Sequence, residues 1–167
     1  MKHLTKILLA IAMIIIMCES AFSQSSFYPQ GSVIVPGITY AYTRADYYVR
    51  PTIVLNNITD KTIQCRVRVY DHNGEDKTAL GRVYTGGTNY TILSSGIGDF
   101  EIPPYSSRWF NMDNIPVQYS FLGHATIEWS SSDQKAKKAL MGKVWNMRVT
   151  SVSICDAFEP INNGQPF

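Results

Sequence analysis

Thr62 to Tyr70 reads TIQCRVRVY, and its alternation decides the fold class. Ile63, Cys65, Val67 and Val69 fall on one side of an extended chain, while Gln64, Arg66, Arg68 and Tyr70 fall on the other. Successive side chains of a strand point to opposite faces, so this is a strand with one face in a core and one in water. Antiparallel sheets are built from such strands. Upstream, Tyr47 to Leu55 (YYVRPTIVL) reads as its partner strand, with Asn56-Asn57-Ile58-Thr59-Asp60 as the turn between them. Pro51 has no N–H to give a ladder, which places that strand at an edge or starts it at Thr52.

Downstream, Asp71-His72-Asn73-Gly74 is a turn sequence. Short strands follow at Arg82–Tyr84 and Asn89–Leu93, separated by Gly86-Gly87. Asp99–Ile102 and Arg108–Met112 flank the turn residues Pro103-Pro104-Tyr105-Ser106. Gly123 to Trp129 alternates again, with Ala125, Ile127 and Trp129 on the apolar side. A last long strand spans Ala139 to Thr150, with Val152–Cys155 extending it or forming another. Only Ser132 to Leu140 carries helix formers, for one or two turns or a solvated loop. Strands about ten residues apart with turn signals between them predict an all-β fold. The expected architecture is an antiparallel β-sandwich, immunoglobulin-like or jelly-roll-like, as a single domain over 24–167.

The front of the chain reads differently. Lys2 and Lys6 precede an uncharged run, Ile7 to Cys18, and Ala21-Phe22-Ser23 follows. A charged start, an apolar run shorter than the roughly 20 residues that span a bilayer, and small residues at the cleavage positions describe a signal peptide. We expect it to cover 1–23 and to be cut after Ser23, leaving Gln24 first. Lipidation at Cys18 would want a small residue before it, and Met17 stands there. The mature chain is thus expected to be secreted or periplasmic, with no stable membrane insertion after cleavage.

Without the leader, 13 basic and 12 acidic residues remain. So balanced a surface has no electrostatic footprint for nucleic acid. The mature chain has two histidines, His72 and His124, and lacks HExxH, CxxC, GxSxG and any phosphate-binding glycine loop. We therefore expect no catalytic residues, no metal and no cofactor. The acidic segment Asp71–Asp76 has oxygen ligands around Gly74, but a hairpin turn accounts for the same residues. Cys65 and Cys155 make an even pair in an oxidising compartment, a candidate disulfide or two buried thiols. Ten tyrosines and three tryptophans supply candidate contact surfaces. Tyr40, Tyr42, Tyr47 and Tyr48 cluster along the chain, and Tyr47, Tyr105 and Tyr119 fall in loops or strand ends, where aromatics meet a ligand or interface. Asn57-Ile58-Thr59 and Asn89-Tyr90-Thr91 match glycosylation sequons.

Three stretches, TIVLNNITDKTIQCRVRVYD, EIPPYSSRWFNM and GHATIEWSSSDQKAKKALMGKVW, together resemble the sensory rhodopsin transducer-like family over about residues 50–147. The resemblance implies a compact β-sandwich, assembly into oligomers, and binding of a protein or small ligand, with no enzymatic residues to carry over. An exported chain cannot reach the cytoplasmic face where rhodopsin transducers act, so that role is not expected here. The expected function is non-catalytic: protein binding or self-assembly in the periplasm, cell envelope or extracellular space. Residues 24–46, and Gly31–Tyr42 within them, would serve as an edge strand pairing inside the domain or with a neighbouring subunit. The alternative is a carbohydrate-binding module using exposed aromatics. A third reading, a hydrolase, would place His72 or His124 in a pocket beside Asp99, Glu101 or Glu128.

Overall fold

The computed structural model describes residues 27–114, 119–152 and 154–167, with only the backbone of Cys155 and Asp156. The expected leader and its cleavage site lie outside the described residues. The described residues are all-β and antiparallel, with 59% of them in strands and 5% helical. The ten strands are β1 (Gly31–Arg44), β2 (Tyr47–Asn57), β3 (Ile63–Asp71), β4 (Arg82–Thr85), β5 (Ile92–Ser95), β6 (Asp99–Ile102), β7 (Ser107–Asn111), β8 (Ser120–Ser131), β9 (Leu140–Val149) and β10 (Ile154–Pro160). They form one hydrogen-bonded sheet that curls nearly into a barrel, where the sequence led us to expect two separate sheets.

The sheet has two limbs. One runs β10-β9-β2-β7-β4-β5 and the other β1-β8-β3-β6. Their inner faces share one core, with Ile53, Leu55, Val83, Phe110 and Val144 from the first and Ile38, Ile63, Val67, Ile127 and Trp129 from the second. In β3 the alternation holds throughout, with Ile63, Cys65, Val67 and Val69 all buried. Ala125, Ile127 and Trp129 of β8 are fully buried in the same way. The loop after β8, where helix formers stand, is a series of turns; Asp133 Oδ1 accepts the Lys135 N–H, and Ala136 packs on the core.

Two expectations about β2 are corrected. It does not pair with β3, which lies between β8 and β6 in the other limb. It is also not an edge strand: its one edge is covered by β9 over Tyr48–Asn57, its other edge by β1 at Tyr47–Val49 and by β7 at Thr52–Asn56. Pro51 stands where β1 leaves and β7 takes over. Its carbonyl accepts from Met112 N on the β7 side, and the N and O of a strand residue point the same way. The missing N–H therefore faces the fork, where no ladder bond is required.

The segment expected to serve as an edge strand is β1, set between β8 and β2. Pro36 and Gly37, the latter at φ +71, form a bulge that returns both Val35 and Ile38 to the core. At Gly123, opposite Asp71 in β3, a Cβ would come within 1.8 Å of the Tyr70 carbonyl oxygen, so only glycine fits the close strand approach there. Cys65, a candidate for a disulfide or a buried thiol, is a free and fully buried thiol, while the side chain of Cys155 lies outside the described residues. Burial pushes the Cys65 pKa well up and the Asp99 charge adds to that, so the group is an inert apolar filler. Cys155 belongs to β10, at the outer edge of the opposite limb.

Asn57 holds one end of the molecule. It is 2% exposed, and its Nδ2 donates to the carbonyls of Lys61, Ile102 and Pro103 at 2.7, 3.0 and 3.0 Å. Its Oδ1 accepts from Thr59 N and Thr59 Oγ1. One amide thus ties the β2–β3 crossover to the β6–β7 turn, and this sequon asparagine is not presented to solvent. At the chain's other end, Asn162 and Asn163 adopt left-handed φ values of 53 and 52 before Gly164. That turn brings Phe167 back to Leu140, where its N–H and carbonyl pair with the β9 backbone and its ring is buried.

Asn57→Ala removes this network and leaves three carbonyls without their donor. We expect a loss of about 3 kcal/mol in urea denaturation; a loss below about 1 kcal/mol would show that the two turns stand without it. Acid should act through Asp99. Partial burial raises its pKa, but the Arg66 hydrogen bond and the charges of Arg68 and Arg66, at 2.9 and 2.7 Å, outweigh this and hold it below the ordinary value. A carboxyl whose folded pKa is depressed adds stability at neutral pH and loses it as pH falls through that pKa. The melting temperature should therefore drop below about pH 4, and Asp99→Asn should flatten the drop; an unchanged acid profile in the variant would remove Asp99 from the explanation.

Candidate ligand-binding site

The strands that feed the core with one set of side chains carry aromatics on the other. In RVYT, Val83 is buried in the core and Tyr84 points away from it; in SRWFN, Phe110 goes in and Trp109 goes out. In LMGKVWNMRV, Val144 goes in and Trp145 goes out. Register aligns these residues across the limb. Tyr84 lies opposite Trp109, Trp109 opposite Val54, Thr52 opposite Trp145, and Trp145 opposite Phe158. The outer face is consequently crossed by a row of rings. Tyr90 meets Tyr84 edge-on at 5.4 Å and Trp109 at 6.1 Å, Trp109 meets Trp145 edge-on at 5.8 Å, and Trp145 stacks on Phe158 at 5.7 Å. These separations fall in the range of favourable aromatic pairs.

A pocket of about 140 Å³ opens in this row. Thr52 of β2 lines it between Trp109, Tyr84 and Tyr90 on one side and Trp145 and Met147 on the other. Arg50, Asn111 and Asp113 give it a polar end. A shallower depression beyond Trp109 is lined by Val54, Gly86, Gly87 and Ser106–Arg108.

The polar groups are arranged as unmet donors and acceptors. Arg50 Nε and Trp145 Nε1 are buried donors, and Asn111 Oδ1 and Asp113 Oδ1 are buried acceptors; none has a hydrogen-bonding partner among the described residues. Buried polar atoms are ordinarily paired, and leaving one unmet costs about 1–3 kcal/mol. Four of the eight such atoms among the described residues belong to side chains that line this one small pocket. Asp113 is held in place by its other oxygen, which accepts the Tyr84 hydroxyl at 2.5 Å, while Arg82 lies 3.6 Å from Oδ1. Burial and the hydrogen bond to Asp113 both raise the Tyr84 pKa, so this hydroxyl remains a donor.

The tyrosines singled out from the sequence lie elsewhere, and the fold does not gather them. Tyr47 begins β2 and is half exposed. Tyr105 is 74% exposed on the β6–β7 turn, at a left-handed φ of 52, and its N–H reaches Thr59 O beyond the far end of β2. Tyr119 packs against the core beside Phe121, with Lys77 5.9 Å from its ring. Of the tyrosine cluster, Tyr40 is buried in the core and Tyr42 stacks on Tyr48 at 6.5 Å. His72 is exposed on its turn and His124 stacks on Tyr70 at 5.4 Å; neither lines the aromatic pocket. In the acidic turn, Asp71 Oδ1 accepts the N–H groups of Asn73 and Glu75 while Lys77 pairs with Oδ2 at 3.2 Å, so its charge is used locally. Among the described residues no group of three or more His, Cys, Asp or Glu is placed to hold a metal ion, and no helix is long and apolar enough to cross a membrane. The residues of the pocket were missed because each tryptophan was read as one member of a strand. The usable signal was that RWFN and KVWNM both put their tryptophan out of phase with the core residues.

No protein-family model and no curated protein sequence matches this chain, so neither comparison connects it to the sensory rhodopsin transducer-like family. The crystal structure of Thermotoga maritima 1070 superposes on 80% of this chain and 96% of its own, at 12% identity and a TM-score of 0.45, a likeness too slight to carry an argument.

Proposed function

We propose that this protein is an exported, non-catalytic binding protein that holds a carbohydrate on the aromatic outer face of its β10-β9-β2-β7-β4 limb. The observation that carries this reading is the joining of unmet donors and unmet acceptors with aromatic walls in one pocket. A sugar hydroxyl donates and accepts at once, so a sugar ring can satisfy both sets, while its C–H faces lie against Trp109 and Trp145. A purely apolar ligand would leave all four polar atoms unmet. At about 140 Å³ the pocket is smaller than the 300–1,000 Å³ of sites that swallow whole ligands. It suits one ring of a longer chain, and the depression beyond Trp109 gives the next unit somewhere to lie.

The same lining argues for binding over turnover. Glycoside hydrolysis ordinarily uses two carboxylates about 5–9.5 Å apart. Among the described residues that line the pocket, Asp113 is the single carboxylate, and it is already engaged by Tyr84 and Arg82.

A second reading, self-assembly, is favoured by β10. Among the described residues this strand pairs with β9 alone, and its seven residues leave a longer free edge than the four-residue strands β5 and β6. Ile154 and Phe158 are more than half exposed on it, and Val152 just before it is 91% exposed. An edge of that kind is a template for antiparallel pairing with a second copy.

A glycan array probed with the mature chain should yield hits, and Trp109→Ala and Trp145→Ala should each weaken a hit by tenfold or more, about 1.4 kcal/mol. Absence of any bound glycan, or hits indifferent to both substitutions, would sink the carbohydrate reading. For assembly, light scattering should give a dimer that Ile154→Lys converts to monomer; a monomeric unsubstituted chain at high concentration would end that idea.

A further inference from the structure

At the pocket's polar end, Arg50 makes no ion pair with any described residue. It is only partly exposed, and among the described residues its Nε is buried without a partner. The Tyr48 ring centroid lies 6.0 Å from the Arg50 Cζ, at the outer limit of a cation–π contact and worth little. Asp113, the one carboxylate among the described residues lining the pocket, accepts the Tyr84 hydroxyl through Oδ2 and has Arg82 3.6 Å from Oδ1. Lys143, two register positions from Trp145 on the same face, lies over the Phe158 ring at 4.3 Å and adds a second unneutralised cation. The described side chains of this face therefore present Arg50, Arg82 and Lys143 against Asp113, although the mature chain as a whole is nearly neutral.

A partly buried guanidinium with no ion pair favours an anion, and a carboxylate or phosphate is the group its planar fork grips best. Trp145 Nε1 is a second donor on the same pocket, and Asn111 Oδ1 is an acceptor for a neighbouring hydroxyl. A ring that offers one carboxylate and several hydroxyls matches this set.

We infer that the sugar bound here is acidic, a uronic acid unit whose carboxylate pairs with Arg50 while its ring lies against the Trp109–Trp145 corner. This rests on the carbohydrate reading of the same pocket and adds the charge of the ligand to it. A phosphate-bearing sugar shares the anionic chemistry but brings a bulkier, doubly charged group, and it serves as a competing probe.

The test is calorimetric titration of the mature chain with oligogalacturonate, oligoglucuronate and oligomannuronate. Each is paired with its methyl ester, which keeps the ring stereochemistry and removes the charge, and with the neutral hexose oligosaccharide. At least one uronate should bind about tenfold or more tighter than its own ester, and the difference should shrink as salt is raised. Arg50→Gln should bring acid and ester to within threefold of each other, and Arg50→Lys should restore part of the gap. Equal binding of acid and ester, binding of neutral hexoses alone, or a preference for a sugar phosphate over every uronate overturns the acidic-sugar assignment and leaves the carbohydrate reading standing. No binding by any member of the three sets overturns both. Because the acid–ester comparison uses the unsubstituted protein, it decides the matter even where an Arg50 variant fails to fold.

Discussion

The molecule depends on one strand serving three neighbours. β2 gives the whole of one edge to β9 and divides the other between β1 and β7. That division splits a single sheet into two limbs and lets them face each other over one core. It requires a place on β2 where no ladder bond is wanted, and Pro51 occupies it. In most interior strands a proline would leave a neighbouring carbonyl unmet; here the two partners part at that point. The fork also explains why the sheet can curl nearly closed without a second, separate sheet. β1 is shared between limbs, bent by its Pro36–Gly37 bulge, and carries the connection from one to the other.

Much of this was legible in the sequence where a strand has one wet face. β3 alternates without a fault, as does β8 over Ala125–Trp129, and the core-facing members Ile63, Cys65, Val67, Val69, Ala125, Ile127 and Trp129 are all buried. Asp99–Ile102 was bounded to the residue because turn formers stand at both ends. What failed was pairing. Strands adjacent in sequence usually pair, and the Asn-rich turn after β2 looked like a hairpin. Alternation says which face a residue occupies and nothing about which strand lies beside it. The crossover is decided by Asn57, whose amide reaches carbonyls more than forty residues away as well as its own turn. The same characters in the sequence spell a turn and a tether, and only long-range contacts separate them.

The site was half legible for a related reason. Exposed aromatics were sought in loops, since loops ordinarily carry binding residues. Tyr105 is exposed where a loop reading puts it, but alone. Trp109 and Trp145 lie within strands, and each follows the period-two rule by pointing away from the core. Neither is informative alone, because a tryptophan on an outer face can simply cover backbone. They become a site through register: β7 and β9 flank β2 and offset the two indoles by two residues, which sets them edge to face at 5.8 Å. Adjacency of that kind is a property of the sheet and is written in no single segment.

Core and pocket are thus the two faces of the same strands, and β2 links them residue by residue. Ile53 and Leu55 are sealed in the core, while Thr52 and Arg50, their neighbours in phase with Val54, line the pocket. A strand inside a sheet with partners on both edges moves little, so the spacing of Trp109, Thr52 and Trp145 is fixed before any ligand arrives. That rigidity is what makes four unmet polar atoms tolerable. A loop bearing Arg50, Asn111 and Trp145 would turn them to water and lose the pocket, whereas strand pairing holds them at its wall. On the carbohydrate reading proposed above, the cost of leaving them unmet would fall on the free protein and be relieved on binding, which would favour a ligand that meets them all.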